Sequence, residues 1–225
     1  MRVVVVGTGT GIGKTHLGVA LVAAAVRAGL RACGLKPIES GVPAGAVGED
    51  SAALAAVSNA PIHFPPPYTL VDPVSPHLAA RRAGVSLRVE AACEWVDCHA
   101  ADFVLVETAG ALMSPLGVGL TNRDLATALH ADRWVLVAPD RLGVLHDVAA
   151  SNECSSGRHP TSSQLVVMQA PETKDASTGT NADELMTLGI AKRVLSMPRG
   201  HVDDEACRAA ADRILAALMG GDPAE

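Results

Sequence analysis

The chain has 225 residues, of which 48% are hydrophobic and only 2% aromatic, and its formal net charge is −6. This composition predicts a folded, cytoplasmic, single-domain protein over residues 1–225, and it argues against nucleic-acid partners, which clustered basic residues and stacked aromatic rings would hold. The apolar runs are too short for a signal peptide or a membrane span, so we also expect no membrane partner.

The first half of the chain alternates strand and helix patterns. A continuous run of β-branched apolar residues at 2–6 is typical of a central strand in a parallel sheet. Apolar residues recur at helical spacing over 14–28, and residues 31–36 have the composition of a second strand. A short helix is predicted at 50–57. The proline-rich stretch at 61–77 is predicted to be a loop without regular structure.

The second half continues the alternation. Strands are predicted at 103–107, 134–139, 164–168 and 194–197, and helices at 121–130, 143–150 and 203–219. Strands that alternate with helices indicate βαβ units, so the fold class is α/β, with three αβα layers around a mostly parallel, doubly wound sheet. The segments at 153–163 and 220–225 are expected to be flexible, and neither separates two domains.

A glycine-rich loop follows the first strand and ends where the first helix begins, in the stretch GTGTGIGKT at 7–15. Glycines in such a loop let backbone N–H groups turn inward around phosphate oxygens, and the helix N-terminus adds partial positive charge. Lys14 would reach the β- and γ-phosphates, and the Thr15 hydroxyl would help hold Mg²⁺. The loop reads G-x5-G-K-T, with Thr8 in the place of the usual first glycine.

A second lysine, Lys36, follows the second predicted strand in the stretch LKPIESG at 35–41. Ligands gather at the carboxyl ends of strands in an open parallel sheet, so we expect Lys36 to point into the same crevice as Lys14. Two ammonium groups there would neutralise the charge that develops during phosphoryl transfer.

Two carboxylates are candidate Mg²⁺ ligands, because Mg²⁺ is commonly held by one or two carboxylates together with substrate phosphates. Glu107 ends the predicted strand FVLVE, and Asp50 stands at a predicted helix start. Asp50 has an alternative role as the N-cap of that helix, and Glu39 and Glu49 are competing acids nearby.

Several stretches together resemble one family. They are GTGTGIGKT (7–15), KPIESG (36–41), PVSPHLAA (73–80), VETAGA (106–111), DRLGVLH (140–146) and MP (197–198). Their order is similar to that in dethiobiotin synthetase, a member of the P-loop NTPase superfamily. The resemblance implies a homodimeric, ATP- and Mg²⁺-dependent ligase of biotin biosynthesis. Its substrates would be 7,8-diaminopelargonic acid and CO2, joined through a carbamate and a carbamic–phosphoric anhydride.

The resemblance also implies roles for individual residues. Nucleotide contacts fall on Gly9, Thr10, Gly11, Ile12, Gly13, Lys14, Thr15, Glu107, Gln169 and Pro198. Catalytic roles fall on Thr10, Lys14, Lys36 and Ser40, and Mg²⁺ ligation falls on Thr15, Asp50 and Glu107. The substrate would meet Lys36, Ser40 and, across the dimer, the backbone of Gly143, Val144 and Leu145.

Four departures from the family pattern fall in these stretches. Thr108 and Ala111 replace glycines, and we expect their side chains to crowd the ligand. Asp147 lies in the predicted substrate-carboxylate site, where we expect it to repel that group. Gln169 stands where the family has asparagine.

Two rival functions share the phosphate loop. A ParA/MinD-like ATPase, acting as a nucleotide-switched dimer on DNA or membrane, normally has an early second lysine in the loop. Here Thr8 follows Gly7, and the net charge is negative. An amide-forming synthetase of cobalamin biosynthesis would normally bring a further glutamine-hydrolysing domain, for which this chain is too short.

Overall fold

The computed structural model describes residues 1–156 and 164–220. Most of the segment expected to be flexible at 153–163, and residues 221–225 of the C-terminal one, lie outside the described residues. Residues 153–155 form the last turn of a helix. Among the described residues, no helix combines the length and apolar character needed to cross a bilayer.

Eighteen elements follow one another along the described chain. The strands are β1 (Arg2–Gly7), β2 (Ala32–Leu35), β3 (Ile38–Ser40), β4 (Tyr68–Leu70), β5 (Phe103–Glu107), β6 (Pro115–Gly117), β7 (Leu120–Thr121), β8 (Arg133–Pro139), β9 (Gln164–Gln169) and β10 (Val194–Met197). The helices are α1 (Lys14–Arg27), α2 (Glu49–Ala56), α3 (Pro76–Arg82), α4 (Val89–Asp97), α5 (Asn122–Ala128), α6 (Val144–Ser155), α7 (Asn181–Thr187) and α8 (Glu205–Leu218).

Six strands form a central sheet in the order β10-β9-β8-β1-β5-β2, and every pairing in it is parallel. The α/β class and the mostly parallel, doubly wound sheet are thereby confirmed. Two small sheets lie outside it. Strands β3 and β4 pair in parallel, and β6 and β7 form an antiparallel hairpin.

The valines of β1 show why this strand is apolar at every position. Val3 and Val5 pack on one face of the sheet in a core that includes residues of α1 and α8. Val4 and Val6 pack on the other face in a core that includes residues of α4, α5 and α6. All four side chains are fully buried. Successive side chains of a strand point to opposite faces, so a strand covered by helices on both sides cannot alternate with polar residues.

The prediction that 61–77 lacks regular structure is wrong in two places. Tyr68–Leu70 forms β4, in register with β3 through the pair Ile38 and Tyr68. Helix α3 begins at Pro76. The first turn of a helix accepts proline, because the N–H group that proline lacks would have no hydrogen-bond partner within the helix at that position. Helices α4 and α7 were not predicted either.

Candidate functional site

Parallel strands place their carboxyl ends at one edge of the sheet, and the predicted site residues gather along that edge. The phosphate loop follows β1, Lys36 follows β2, and Glu107 ends β5. Further along the sheet, Gln169 ends β9 and Pro198 follows β10. The register pairs Val5 with Glu107, which sets the carboxylate beside the root of the phosphate loop.

The loop adopts the backbone conformations for which its glycines are needed. Gly11 and Gly13 have φ of 69° and 94°, in the left-handed region that side chains disfavour. Gly13 precedes α1, which has no side-chain cap at its N-terminus. The first N–H groups of an uncapped helix attract anions.

Lys14 is held over this loop. Its Nζ donates a hydrogen bond to the Gly9 carbonyl oxygen at 2.7 Å, and the residue is buried. Burial lowers the pKa of Lys14 to about 8, although the Glu107 carboxylate works in the opposite direction. A buried ammonium group whose charge is incompletely compensated favours a nearby anion such as a phosphate.

Lys36 stands between the two carboxylates that were predicted to bind Mg²⁺. Its Nζ donates to Asp50 Oδ2 and, at 2.7 Å, to Glu107 Oε1. Thr15 Oγ1 donates to the same Glu107 oxygen at 3.0 Å. The side chains of Lys36 and Glu107 are only 7% and 1% exposed, against 39% for Asp50. The structure therefore brings together these four residues, which come from four separate stretches of the chain.

The charges in this cluster support one another. Burial opposes the Lys36 ammonium, but the Glu107 and Asp50 carboxylates outweigh it and raise the pKa of Lys36. Burial also opposes the Asp50 carboxylate, but Lys36 and a hydrogen bond from Thr15 outweigh it and hold the pKa of Asp50 below its usual value. Burial raises the pKa of Glu107, and Lys36 opposes that rise.

The geometry separates the three acids near α2. Asp50 is the second residue of that helix, whose N-cap position belongs to Gly48, so Asp50 is not the cap. Glu49 is exposed. The Glu39 carboxylate accepts hydrogen bonds from the backbone N–H groups of Asp50 and Ser51. Asp50 alone of the three faces Lys36.

The oxygens of Thr15, Asp50 and Glu107 form a set of hard donors that suits Mg²⁺. Glu107 Oε2 is buried and has no hydrogen-bond partner among the described residues, so it retains lone pairs for a cation. No group of three or more His, Cys, Asp and Glu residues that could hold a metal occurs in 1–156 or 164–220. A cation here would complete its coordination with water and ligand oxygens, as Mg²⁺ commonly does.

A cleft of about 530 Å³ opens beside the phosphate loop. Its walls comprise Thr10, Gly11, Ile12, Gly13, His16, Pro139, Arg141, Gln169, Ala170, Pro171, Glu172, Thr173, Arg199 and Gly200. The cleft joins the phosphate loop to the carboxyl ends of β8 and β9, as a nucleotide site in this fold requires. Pro198 lies at its margin, where its carbonyl oxygen accepts a hydrogen bond from Gln169 Nε2 at 3.3 Å.

Gln169 packs directly against the phosphate loop. A Cβ atom on Gly13 would lie 2.6 Å from Gln169 Cγ. His16, which the sequence analysis did not single out, has its Nδ1 3.3 Å from Gln169 Oε1 and its Nε2 3.0 Å from the Gly200 carbonyl oxygen. His16 therefore links the first turn of α1 to two walls of the cleft. In the sequence, only its position directly after Gly-Lys-Thr indicated that it lies near the phosphate loop.

The remaining predicted contacts lie around this centre. Thr10 is exposed at the tip of the phosphate loop, and its Oγ1 lies 3.6 Å from where a Cβ on Gly110 would stand. Ser40 ends β3 and lines a hollow of about 180 Å³ together with Asp50. No contact joins Ser40 to Lys36 among the hydrogen bonds of the described residues.

The start of α6 carries the predicted substrate-carboxylate site. Gly143 is its N-cap, with φ of 92° and no side-chain cap, and Val144 is buried whereas Leu145 is half-buried. Arg141 Nη2 lies 3.6 Å from Asp147 Oδ2, so the expected repulsion by Asp147 is offset by a neighbouring cation.

The side chain of Thr108 packs toward β1, and the expectation that it crowds a ligand stays a prediction. Its side chain is buried, and Oγ1 donates to the Val5 carbonyl oxygen at 3.1 Å, which directs it toward β1. The neighbouring Ala111 N–H donates to Ser114 Oγ at 2.9 Å, so this loop is held by its own hydrogen bonds.

A family model described as an AAA domain matches residues 1–201. The ATP-dependent dethiobiotin synthetase BioD of Anaeromyxobacter dehalogenans (strain 2CP-C) is 40% identical over 200 residues, which cover 86% of this chain and 88% of that protein. BioD of Mycobacterium sp. (strain KMS) is 35% identical over 209 residues, which cover 88% and 89%.

Solved structures of other proteins share the fold. The MinC:MinD cell division protein complex of Aquifex aeolicus gives a TM-score of 0.63 at 13% identity, covering 98% of this chain and 96% of that chain. The septum site-determining protein MinD of Pyrococcus horikoshii OT3, complexed with Mg-ADP, gives 0.61 at 12% identity, covering 96% and 95%. At such identities the likeness concerns the fold alone, and it lends the ParA/MinD alternative no functional support.

Proposed function

Because the chain belongs to the ATP-dependent dethiobiotin synthetase family, we propose that it joins 7,8-diaminopelargonic acid and CO2 to form dethiobiotin, with ATP converted to ADP and phosphate. This activity makes it an ATP-dependent ligase that forms C–N bonds. The observation that carries the proposal is the position of Lys36, buried between Asp50 and Glu107 beside a phosphate loop. Such an arrangement neutralises charge and aligns reactants, and it offers no strong nucleophile.

The proposed chemistry needs no nucleophile from the protein, because the substrate supplies two amines. One amine adds CO2 and loses a proton, giving a carbamate. A carbamate oxygen takes the γ-phosphoryl group of ATP, giving a carbamic–phosphoric anhydride and ADP. The second amine then attacks the carbonyl carbon, the C–O bond to phosphate breaks, and the cyclic urea closes.

The residues of this chain bind and orient these groups. Backbone N–H groups of the phosphate loop and the Lys14 ammonium would hold the phosphates, and Lys36 would lie beside the carbamate and the transferred phosphoryl group. Thr10 and Ser40 would donate hydrogen bonds to the reacting groups from either side. The cleft beside Gln169 and Pro198 would hold the nucleotide base. Each of these roles lowers the barrier through position and charge.

Mg²⁺ would be held by Thr15, Asp50 and Glu107, where it would neutralise negative charge on the phosphates. The unpartnered Glu107 Oε2 supports this assignment among the described residues.

We further propose a homodimer in which the uncapped start of α6, at Gly143, Val144 and Leu145, receives the carboxylate of the substrate that is bound to the partner. Leu142 beside it is 75% exposed, as an interface residue would be in an isolated subunit. The five free cysteines support a cytoplasmic location, and the proposal includes no nucleic-acid or membrane partner.

Phosphate release from MgATP tests this function directly. With bicarbonate present, we expect phosphate release to depend on 7,8-diaminopelargonic acid. We also expect one molecule of dethiobiotin to form for each phosphate released. An analogue that keeps only one of the two amines is the matched control, because it cannot close the ring. Release at the same rate without the diamine would refute the substrate, and stimulation by DNA or lipid vesicles instead would favour the ParA/MinD-like alternative.

The acids of α2 offer a second test. We expect Asp50→Asn to raise the Mg²⁺ concentration needed for half-maximal turnover by at least about tenfold, the scale of effects for groups that support a metal. Glu49→Gln, its exposed neighbour, should leave this concentration unchanged. Titrations of initial rate against Mg²⁺ at saturating ATP measure both. An effect of Glu49→Gln alone would assign the metal to Glu49.

A further inference from the structure

Glu39 has a role that its sequence position does not reveal. It lies in β3 and is buried, with 6% of its surface exposed. Its Oε1 accepts a hydrogen bond from the Asp50 N–H at 3.0 Å, and its Oε2 accepts one from the Ser51 N–H at 3.1 Å. The Ser51 hydroxyl donates to Oε2 as well. All three donors belong to the first turn of α2.

These bonds are the ones that an N-cap side chain normally makes, to the second and third N–H groups of a helix. The N-cap residue of α2 is Gly48, which has no side chain to make them. The carboxyl group of Glu39 fills the space beside Gly48, where an added Cβ atom would overlap it. A strand outside the helix therefore supplies the cap of α2, and the glycine leaves room for it.

The cap acts on the residue that faces Lys36. Glu39 holds the backbone of Asp50, while Lys36 and Thr15 hold its carboxylate. The position of the Asp50 carboxylate depends on the backbone that carries it, and a capped helix start holds that backbone in place. Glu39 and Asp50 are 11 residues apart in the sequence, so this hydrogen bond closes the loop between β3 and α2.

We propose that Glu39 is a positioning residue that caps α2 from outside and thereby fixes Asp50 for binding of a divalent cation. This inference rests on the proposed function only in taking Asp50 as a metal ligand. Glu39 itself touches neither substrate nor nucleotide in the proposal. Its loss is expected to weaken cation binding selectively, whereas nucleotide binding without metal stays as it is.

Binding of Mn²⁺ tests the proposal without turnover. Mn²⁺ affinity would be measured by electron paramagnetic resonance in the presence of a non-hydrolysable ATP analogue, and affinity for the analogue alone would be measured in EDTA. We expect Glu39→Ala to weaken Mn²⁺ binding about tenfold, the scale of a lost helix cap. Glu39→Gln, which keeps the volume and one acceptor oxygen, should weaken it less. Glu90→Gln, an exposed acid in the first turn of α4, is the matched control.

A local cap should rescue the variant. In Glu39→Ala, the further change Gly48→Ser places a hydroxyl at the N-cap, and we expect it to restore most of the Mn²⁺ affinity. In the wild-type background the same Gly48→Ser should weaken Mn²⁺ binding, because its Cβ displaces the Glu39 carboxyl group. If Glu39→Ala does not fold, Glu39→Gln and Gly48→Ser carry the test.

Two results would overturn the proposal. One is Mn²⁺ affinity within twofold of wild type in every folded variant at Glu39 and Gly48. The other is an equal loss of metal-free nucleotide binding, which would show general damage to the fold. Neither result bears on the diamine dependence of phosphate release, so failure here remains distinct from failure of the proposed function.

Discussion

Replacing Lys36 with methionine is expected to lower turnover by about a thousandfold or more, the scale found when one cation is removed from a phosphoryl-transfer site. Lys36 is only 7% exposed and is hydrogen-bonded to two carboxylates. Methionine keeps much of the side-chain length and removes the charge. Charge on the carbamate and on the transferred phosphoryl group would then develop without its nearest ammonium.

The same variant should also be less stable, which distinguishes Lys36 from a residue with a purely catalytic role. Glu107 is 1% exposed, and without Lys36 its carboxylate would be buried beside Asp50 without the cation that is hydrogen-bonded to it. Breaking a buried ion pair from one side typically costs about 3–5 kcal/mol of unfolding free energy. Urea denaturation would measure this loss, and single-turnover rates would measure the catalytic effect. Wild-type turnover in a folded Lys36→Met protein would contradict the assigned role.

The double variant Lys36→Met with Glu107→Gln is the control for the stability argument. It removes both members of the buried pair, so we expect it to be more stable than Lys36→Met alone. Activity should stay absent, since neither charge is restored. Added Mn²⁺ should stabilise Lys36→Met more than the double variant, because only Lys36→Met keeps the negatively charged carboxylate of Glu107 as a metal ligand.

The strand ends explain how much of this site the sequence predicts. Lys14 and Thr15 follow from local spacing, because the loop, the helix start and both side chains occur within nine residues. Lys36 and Glu107 follow from one topological rule, that parallel strands bring their carboxyl ends to one edge. To predict the position of either residue, one needs only to identify the strand that precedes or contains it. The apolar runs of β2 and β5 identify these strands.

Glu39 and His16 show where such reasoning stops. Glu39 caps a helix 11 residues away, and His16 contacts Gln169 at a separation of 153 residues. Such contacts depend on the packing of side chains from different elements, which no local pattern encodes. Strand β4 was missed for a related reason, since its three residues have no periodicity of their own and it exists through its pairing with β3.

Replacing Lys14 with alanine is expected to abolish measurable turnover, a loss of about a thousandfold or more, while leaving the fold nearly as stable as wild type. Lys14 forms no ion pair within 4.0 Å among the described residues, and its Nζ donates a hydrogen bond to the Gly9 carbonyl oxygen. Burial lowers its pKa to about 8, so its charge is a cost to the ligand-free protein. Removing that charge therefore has little structural penalty, and alanine suits the first turn of α1.

Nucleotide binding and stability, measured together, should separate the two lysines. Lys14→Ala should weaken ATP binding at least about tenfold, because the ammonium that would hold the phosphates is gone, whereas it should keep the wild-type urea midpoint. Lys36→Met should keep nucleotide binding closer to wild type and lose stability. Lys192→Ala, at an exposed lysine, is the matched control for loss of one positive charge. If Lys14→Ala bound ATP as tightly as wild type, the phosphates would have to lie away from the start of α1, and the assignment of the loop would fall with them.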